Sequence, residues 1–366
     1  MIGRVTLDRS AARVALAGFA INLVLVVLLL AARGDPAWFT HFGSDEPVSP
    51  HARAALGDDV IVQGPKGHDG QVFWAIAHDP LLLDGTRVAA DLDRPAYRSQ
   101  RILYPALVSP WGLAGEDALL WGLIATNLVV VLIGGYWAAL FAQDIGAPVR
   151  AGLAFALNPL VLLAVVLDFA DALALALVVG ALVAVGRTRW TVALAAGTAA
   201  ALTKETSLLA LVAIAALLSQ LPRVRRIALV GVPAAAMVAW GLYSRWRLGW
   251  PRSDVHEFSA PLVGFVDMMR DFYPDRSGVA DVAVAFALIP LALWIGVRWW
   301  RRRTLALTAA LPFAVLVPFL GGPVLYLPIN SLRAIGPAIT LLVIDLYAER
   351  QSNVISPRRA APAAAR

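Results

Sequence analysis

The chain has 366 residues, of which 59% are hydrophobic and only 15% charged, with a formal charge of +6 and no cysteine. Soluble proteins carry about 25% charged residues, so this composition, with a mean hydropathy of +0.70, excludes an ordinary soluble enzyme and indicates an all-α polytopic membrane protein. Disulfides and thiolate metal sites are excluded outright, and the basic excess is explained by arginines at helix ends rather than by nucleic-acid binding.

In chain order, VALAGFAINLVLVVLLLAA (14–32) predicts the first span, because about 20 apolar residues cross a ~30 Å hydrocarbon core. It exceeds the apolar core of a signal peptide and lacks a clean small-x-small cleavage site near Arg33, so an uncleaved anchor is expected. A long first outer loop, 33–117, follows. Its many Pro and Gly residues predict a compact, irregular segment with short helices. Within it, QVFWAIAHDPLLL (71–83) predicts an amphipathic helix lying along the interface. RILYPALVSPWGL (101–113) carries two prolines and predicts a short re-entrant or interfacial piece. LLWGLIATNLVVVLIGGYWAALFA (119–142) predicts the second span.

Arginine placement sets the topology beyond this point. Arg4, Arg9 and Arg13 precede the first span. Further clusters are Arg187 and Arg189, then Arg223, Arg225 and Arg226, then Arg298, Arg301, Arg302 and Arg303, then Arg350, Arg358 and Arg359. The positive-inside rule puts all of them in the cytoplasm, with even crossings between them. Residues 150–186 then form two arms meeting outside at Asp168-Phe169-Ala170-Asp171. Residues 190–220 form two arms of about 14 residues, each reaching roughly 21 Å. Their turn, Thr203-Lys204-Glu205-Thr206, falls short of the outer surface, where a Lys and a Glu must face each other, protein or a water-filled cavity. Spans near 227–244, 279–297, 304–320 and 334–348 complete about ten transmembrane helices. One transmembrane domain covers 1–348, with 33–117, 245–278 and 321–333 outside. Both termini are cytoplasmic, and 349–366 is a disordered tail. Trp190, Trp299 and Trp300 fall beside cytoplasmic arginines, as interfacial belt residues do.

The polar residues of the outer side carry the chemistry. Asp79, Asp91 and Asp93 read as solvated loop acids. Asp69 differs because Gly67 and Gly70 flank it, allowing backbone to approach a ligand closely. Lys204 and Glu205 read either as a structural ion pair at a helix break or as a ligand site, where a lysine and the helix start at Thr206-Ser207 suit a phosphate. His68 and His78 lack a third ligand at metal spacing and read as surface residues. No metal site is assigned. Asp91-Leu92-Asp93 has a DxD shape, which leaves dependence on a divalent metal open. Arg333 lies opposite the basic clusters, so orientation signalling does not explain it. It is either a snorkelling anchor or a bidentate phosphate ligand.

The stretch GHDGQVFWAIAHDP (67–80), followed by AYRSQRILYPAL (96–107), resembles the first-loop signature of a group of bacterial GT-C-fold membrane glycosyltransferases: Tyr-Asp-Gly-Gln-aromatic, then Arg-x-x-x-Pro. ALTKETSLLAL (201–211) resembles that group's Lys-Glu-Thr turn, and NSLRAIGPAI (330–339) its late Asn-x-x-Arg…Pro element. The four matches keep the family's order. His68 departs from the usual aromatic residue, and no appended C-terminal domain indicates the acceptor. The resemblance implies an inverting transferase of the bacterial cell (inner) membrane with an extracytoplasmic active site. It would move a sugar from a polyprenyl-phosphate donor to a glycan, lipid or protein acceptor among membrane lipids. Asp69 would be the general base, and Gln71, Arg101, Tyr104, Asp168, Lys204, Glu205 and Arg333 would contact substrate. The rival reading is a multi-span transporter or lipid flippase, although no internal repeat is present; a non-catalytic envelope scaffold ranks third.

Overall fold

The computed structural model describes residues 7–60, 62–217, 221–250, 257–272 and 278–355. Among them every regular element is helical. α1 (Arg9–Arg33) leads to six short helices: α2 (Ala37–Thr40), α3 (Ser49–Leu56), α4 (Asp69–Ala77), α5 (Gly85–Asp91), α6 (Pro95–Arg98) and α7 (Leu103–Val108). The long α8 (Glu116–Asp144) is followed by α9 (Leu153–Ala156), α10 (Pro159–Val166), α11 (Asp171–Gly186), α12 (Trp190–Thr203), α13 (Ser207–Leu217) and α14 (Arg223–Leu248). The chain continues through α15 (Val263–Phe272), α16 (Val279–Arg302), α17 (Leu305–Leu316), α18 (Gly322–Leu325) and α19 (Pro328–Ile355).

Local chemistry sets the boundaries. Asp8 caps α1 by accepting from the backbone N–H of Ser10 and Ala11, and Gly34 ends it in the left-handed region at φ 81°. Asn158 caps α10 through the Leu160 N–H, while its amide donates to the Gly336 carbonyl and the Thr340 hydroxyl on α19, both at 2.7 Å. Asn22 likewise donates to the Ala156 carbonyl, and Asn127 to the Ala164 carbonyl. Buried amides therefore tie one apolar helix to the next, as association between apolar helices requires.

Five helices (α1, α8, α14, α16 and α19) are long and apolar enough to cross a membrane. Val149–Ala156 and Pro159–Val166, bent by 46° at their break, make a sixth if taken as one span. α11, α12, α13 and the 305–319 segment are apolar but shorter. The two arms expected between 190 and 220 are present, with α12 at 14 residues and α13 at 11, broken at Lys204. At ~1.5 Å per residue each is shorter than the hydrocarbon core.

Contacts sort the helix ends into two sets. At one end, Arg187 pairs with Asp144 at the close of α8, Arg225 stacks on Trp190, and Arg298 reaches Asp345 and Glu349 late in α19. Arg303 stacks on Trp299 and Trp300 at this same end. At the other end, Asp171 opening α11, Lys204 closing α12 and Arg333 early in α19 meet each other. The basic clusters that the structure describes thus gather away from this second meeting point; residues 349–355, expected to begin a disordered tail, instead continue α19, while Arg4 and 356–366, with Arg358 and Arg359, lie outside the described residues.

Four expectations change. α4 does not lie along an interface: all residues from Gly70 to Ala77 are buried, because a helix apolar on every face belongs in the core. Gly70 serves packing rather than ligand approach, since a Cβ there would sit 2.7 Å from the Thr40 carbonyl oxygen and 2.8 Å from that of Leu167. α14 continues to Leu248, into the expected 245–278 loop, and α19 begins at Pro328, so Arg333 sits within a helix instead of before it.

Candidate functional site

Where the short helices of 33–117 cover the second set of helix ends, they enclose a cavity of about 250 Å³. Asp69 opens α4 and stands at its wall. Its Oδ1 accepts from Arg98 Nη1 at 2.9 Å and its Oδ2 from Arg333 Nη2 at 2.5 Å, with Arg101 Nη1 3.8 Å away. Three guanidinium groups therefore converge on one carboxylate.

Each of these arginines is also held by a second acid. Arg98 pairs with Asp93 through Nε at 2.9 Å and Nη2 at 3.1 Å. Arg101 pairs bidentately with Glu205, at 3.2 and 2.8 Å. Arg333 reaches Asp171 Oδ2 through Nε at 2.9 Å and lies 4.0 Å over the Phe169 ring. Lys204 takes the other Asp171 oxygen. Arg101 also donates to the Tyr97 hydroxyl, which donates in turn to Glu257 at 2.6 Å, and Arg94 lies near both Glu257 and Asp93. Arg94, Arg98, Arg101, Lys204 and Arg333 thus balance Asp69, Asp93, Asp171, Glu205 and Glu257. That neutrality makes the buried members, Asp69, Asp171, Arg101 and Arg333, tolerable, while Asp93, Glu205 and Glu257 keep partial access to solvent.

Burial alone would raise the Asp69 carboxyl, but Arg333, Arg98 and Arg101 outweigh it and hold the group well below the ordinary carboxylate range. Burial keeps the Tyr97 phenol protonated, above its ordinary value. His68, just before Asp69, stacks on His41 with ring centroids 4.3 Å apart. Burial lowers both imidazoles, His41 to about 4.

Of the residues singled out in the sequence, Asp69, Gln71, Arg101, Lys204, Glu205 and Arg333 all line the cavity. Lys204 and Glu205 do not pair with each other: Lys204 turns to Asp171 and Glu205 to Arg101. Gln71 accepts from the Gly43 N–H at 3.0 Å, fixing the neighbouring turn. Tyr104 and Asp168 are fully buried behind the wall and do not line the cavity. Tyr104 donates to the Leu123 carbonyl and accepts from Asn127, whereas Asp168 accepts from Thr40 at 3.4 Å. Both side chains are thus held in the core, outside the cavity. Arg333 is not a headgroup anchor, since its side chain is only 10% exposed between two acids.

The histidines and loop acids also change. His68 lines the cavity. His78 meets the Trp74 carbonyl and Glu116 through its two ring nitrogens, and it is not a surface residue. Asp91 pairs with His51 and Asp93 with Arg98, so neither is simply solvated and the DxD-shaped pair diverges. No group of three His, Asp or Glu side chains converges as for a metal among the described residues.

Sequence reasoning missed Arg94, Arg98, Tyr97 and Glu257. RPAYRSQR does carry a signal, since positions 94, 98 and 101 repeat at i, i+4 and i+7, which places arginines on one side of a helical turn. Asp171 was visible as an acid on an otherwise apolar helix, a placement that demands a cationic partner. Comparison of the chain with protein-family models, curated proteins and solved structures gives no match.

Proposed function

We propose that this protein is a glycosyltransferase of the bacterial cell membrane with about ten crossings and a GT-C-like fold. It would transfer a sugar from a polyprenyl-phosphate donor to a glycan, lipid or protein acceptor on the extracytoplasmic face. One observation carries the reading: the 316–320 segment lines a cavity rich in arginine with some of its residues and an apolar groove with the others. Leu316, Leu320, Val324 and Leu327 form one side of the cavity. Val317, Pro318 and Phe319, interleaved in the chain with those residues, border a groove of about 850 Å³ between α16 and α17, lined by Ile289, Leu293 and Val297. A ligand suited to both has an anionic head and a long apolar tail, which describes a prenyl phosphate ester.

In the proposed reaction the acceptor hydroxyl attacks the anomeric carbon. Its proton passes to Asp69. The bond from the anomeric carbon to the phosphate oxygen breaks, and the electron pair leaves on that oxygen, where guanidinium groups stabilise the growing charge. Glu46, Arg94 and Glu257, which also line the cavity, would supply hydrogen-bonding groups for the acceptor.

The test is to incubate purified protein with a polyprenyl-phosphate sugar. Acceptor-dependent release of polyprenyl phosphate supports the transferase. Movement of an intact prenyl phosphate across vesicles, with no sugar released, supports the transporter or flippase instead, a reading the same cavity and groove would also serve.

A further inference from the structure

In the arrangement observed, both oxygens of Asp69 are occupied by arginines. A carboxylate held in this way is a poor proton acceptor, yet it is the acid best placed to act as base. The second acids resolve the conflict. Because Asp93, Glu205 and Asp171 hold Arg98, Arg101 and Arg333 from behind, the three guanidinium groups keep their positions when Asp69 lets go. They form a preorganised seat for an anion, and Asp69 is the anion resident in it.

We propose that a phosphate ester entering the cavity displaces Asp69 from Arg98 and Arg333, so that the seat exchanges one anion for another and the freed carboxylate becomes available to take a proton. The binding half of this proposal stands on the geometry; its catalytic half rests on the transferase reading above. Exchange costs little because every arginine retains one acid throughout, and the phosphodiester of a prenyl-phosphate sugar presents two free oxygens to the guanidinium groups, as the carboxylate does. The exchange also sets an order. Asp69 gains basicity only after the donor has arrived, so an acceptor that arrives first is not activated. The proton balance is unchanged: the acceptor oxygen loses its proton to Asp69 as it bonds to the anomeric carbon, and the phosphate departs with the bonding pair.

The test is a gain of affinity in a variant that loses activity. Binding of farnesyl phosphate to detergent-purified protein is measured by calorimetry for the parent chain and for Asp69→Asn, with Asp69→Ser as a second variant should the amide fail to yield folded protein. Removing the competing charge should tighten binding by about tenfold or more, the worth of a charge-assisted hydrogen bond no longer opposed. Adding Arg333→Gln should abolish that gain. Unchanged or weaker binding in both folded Asp69 variants overturns the displacement. Inorganic phosphate and farnesol are measured alongside. A gain shared equally by inorganic phosphate, with no preference for the prenyl ester, keeps the exchange but overturns the lipid-donor reading, so the two failures are separable. A gain limited to the prenyl ester supports both.

Discussion

Arg333→Lys preserves the charge and removes the geometry. In the parent, Nε and Nη2 of Arg333 lie 2.9 and 2.7 Å from Asp171, Nη2 lies 2.5 Å from Asp69, and the guanidinium covers Phe169 at 4.0 Å. A lysine ammonium is a single point. From the same helical position it can satisfy Asp171 or Asp69 but does not reproduce the fork, and it stacks poorly on the ring. One charge-assisted bond is lost, about 1.5–3 kcal/mol, together with part of a cation–π contact of about 0.5–2 kcal/mol. The sum, roughly 2–4 kcal/mol, falls short of the ~3–5 kcal/mol expected from stripping a buried pair of its partner altogether. The lysine variant should therefore fold but melt several degrees lower in detergent. Its turnover with a prenyl-phosphate sugar should fall about a hundredfold, which corresponds to ~2.7 kcal/mol at the transition state. Intrinsic tryptophan fluorescence during heating and release of prenyl phosphate read the two effects. Parental values of both would refute the claim that the two-acid bridge matters, and the phosphate seat would then have to rest on Arg98 and Arg101.

Asp69→Asn should lower turnover about 10²-fold or more with folded protein retained; parental turnover would remove Asp69 as the base. Gly70→Ala should sharply reduce the yield of folded protein, because the new methyl meets the Thr40 and Leu167 carbonyl oxygens at 2.7 and 2.8 Å, and a monodisperse chromatographic peak with parental melting would count against that contact. For sidedness, the exposed Ala54 on α3 and the exposed Thr188 form a test pair. A cysteine at 54 should react with an impermeant thiol reagent added outside intact cells and one at 188 should not, and the reverse pattern would invert the topology. Burial lowers His41 from 6.5 to about 4, so between those values the unfolded chain binds more protons than the folded one. Its contribution is complete above pH 6.5 and lost as pH falls toward 4. His41→Asn should flatten the fall in melting temperature across that window, and an unchanged slope would show that other groups set it.

The helical plan was legible because its cues are local. Apolar runs end at Arg, Pro or Gly, and the break at Lys204 appears where the chain offers a charge, whereas the 46° break at Asn158 falls inside what reads as a single arm of 150–186. Whether a short apolar helix is covered is a different matter. QVFWAIA reads the same along an interface as in a core. Its burial depends on the segments around α2 and α7 that pack over it, and no periodicity within 71–83 records their positions. The same limit hid Tyr104 and Asp168. Tyr104 falls within 96–107 and Asp168 at the 168–171 turn, but each side chain lies in the core, with Asn127 and Thr40 as partners supplied from other elements.

For the site, individual charges were conspicuous and their partners were not. Lys204 and Glu205 are adjacent, which invites pairing, yet Lys204 closes α12 while Glu205 lies in the turn, and their side chains diverge toward Asp171 and Arg101. Partner choice follows from which helix ends meet, and only the assembled bundle determines that. The arrangement it produces has a physical logic. A lone arginine facing Asp69 would form a closed pair, stable and inert, and an incoming phosphate would have to break it. Arginines shared between Asp69 and a second acid are never left unpaired, so the central position can change occupant while the surrounding charges stay balanced. The same sharing explains why the region can be both buried and ionic without a net charge. It also explains how Asp69, the most conspicuous acid in the sequence, can be held by Arg98 and Arg333 at once.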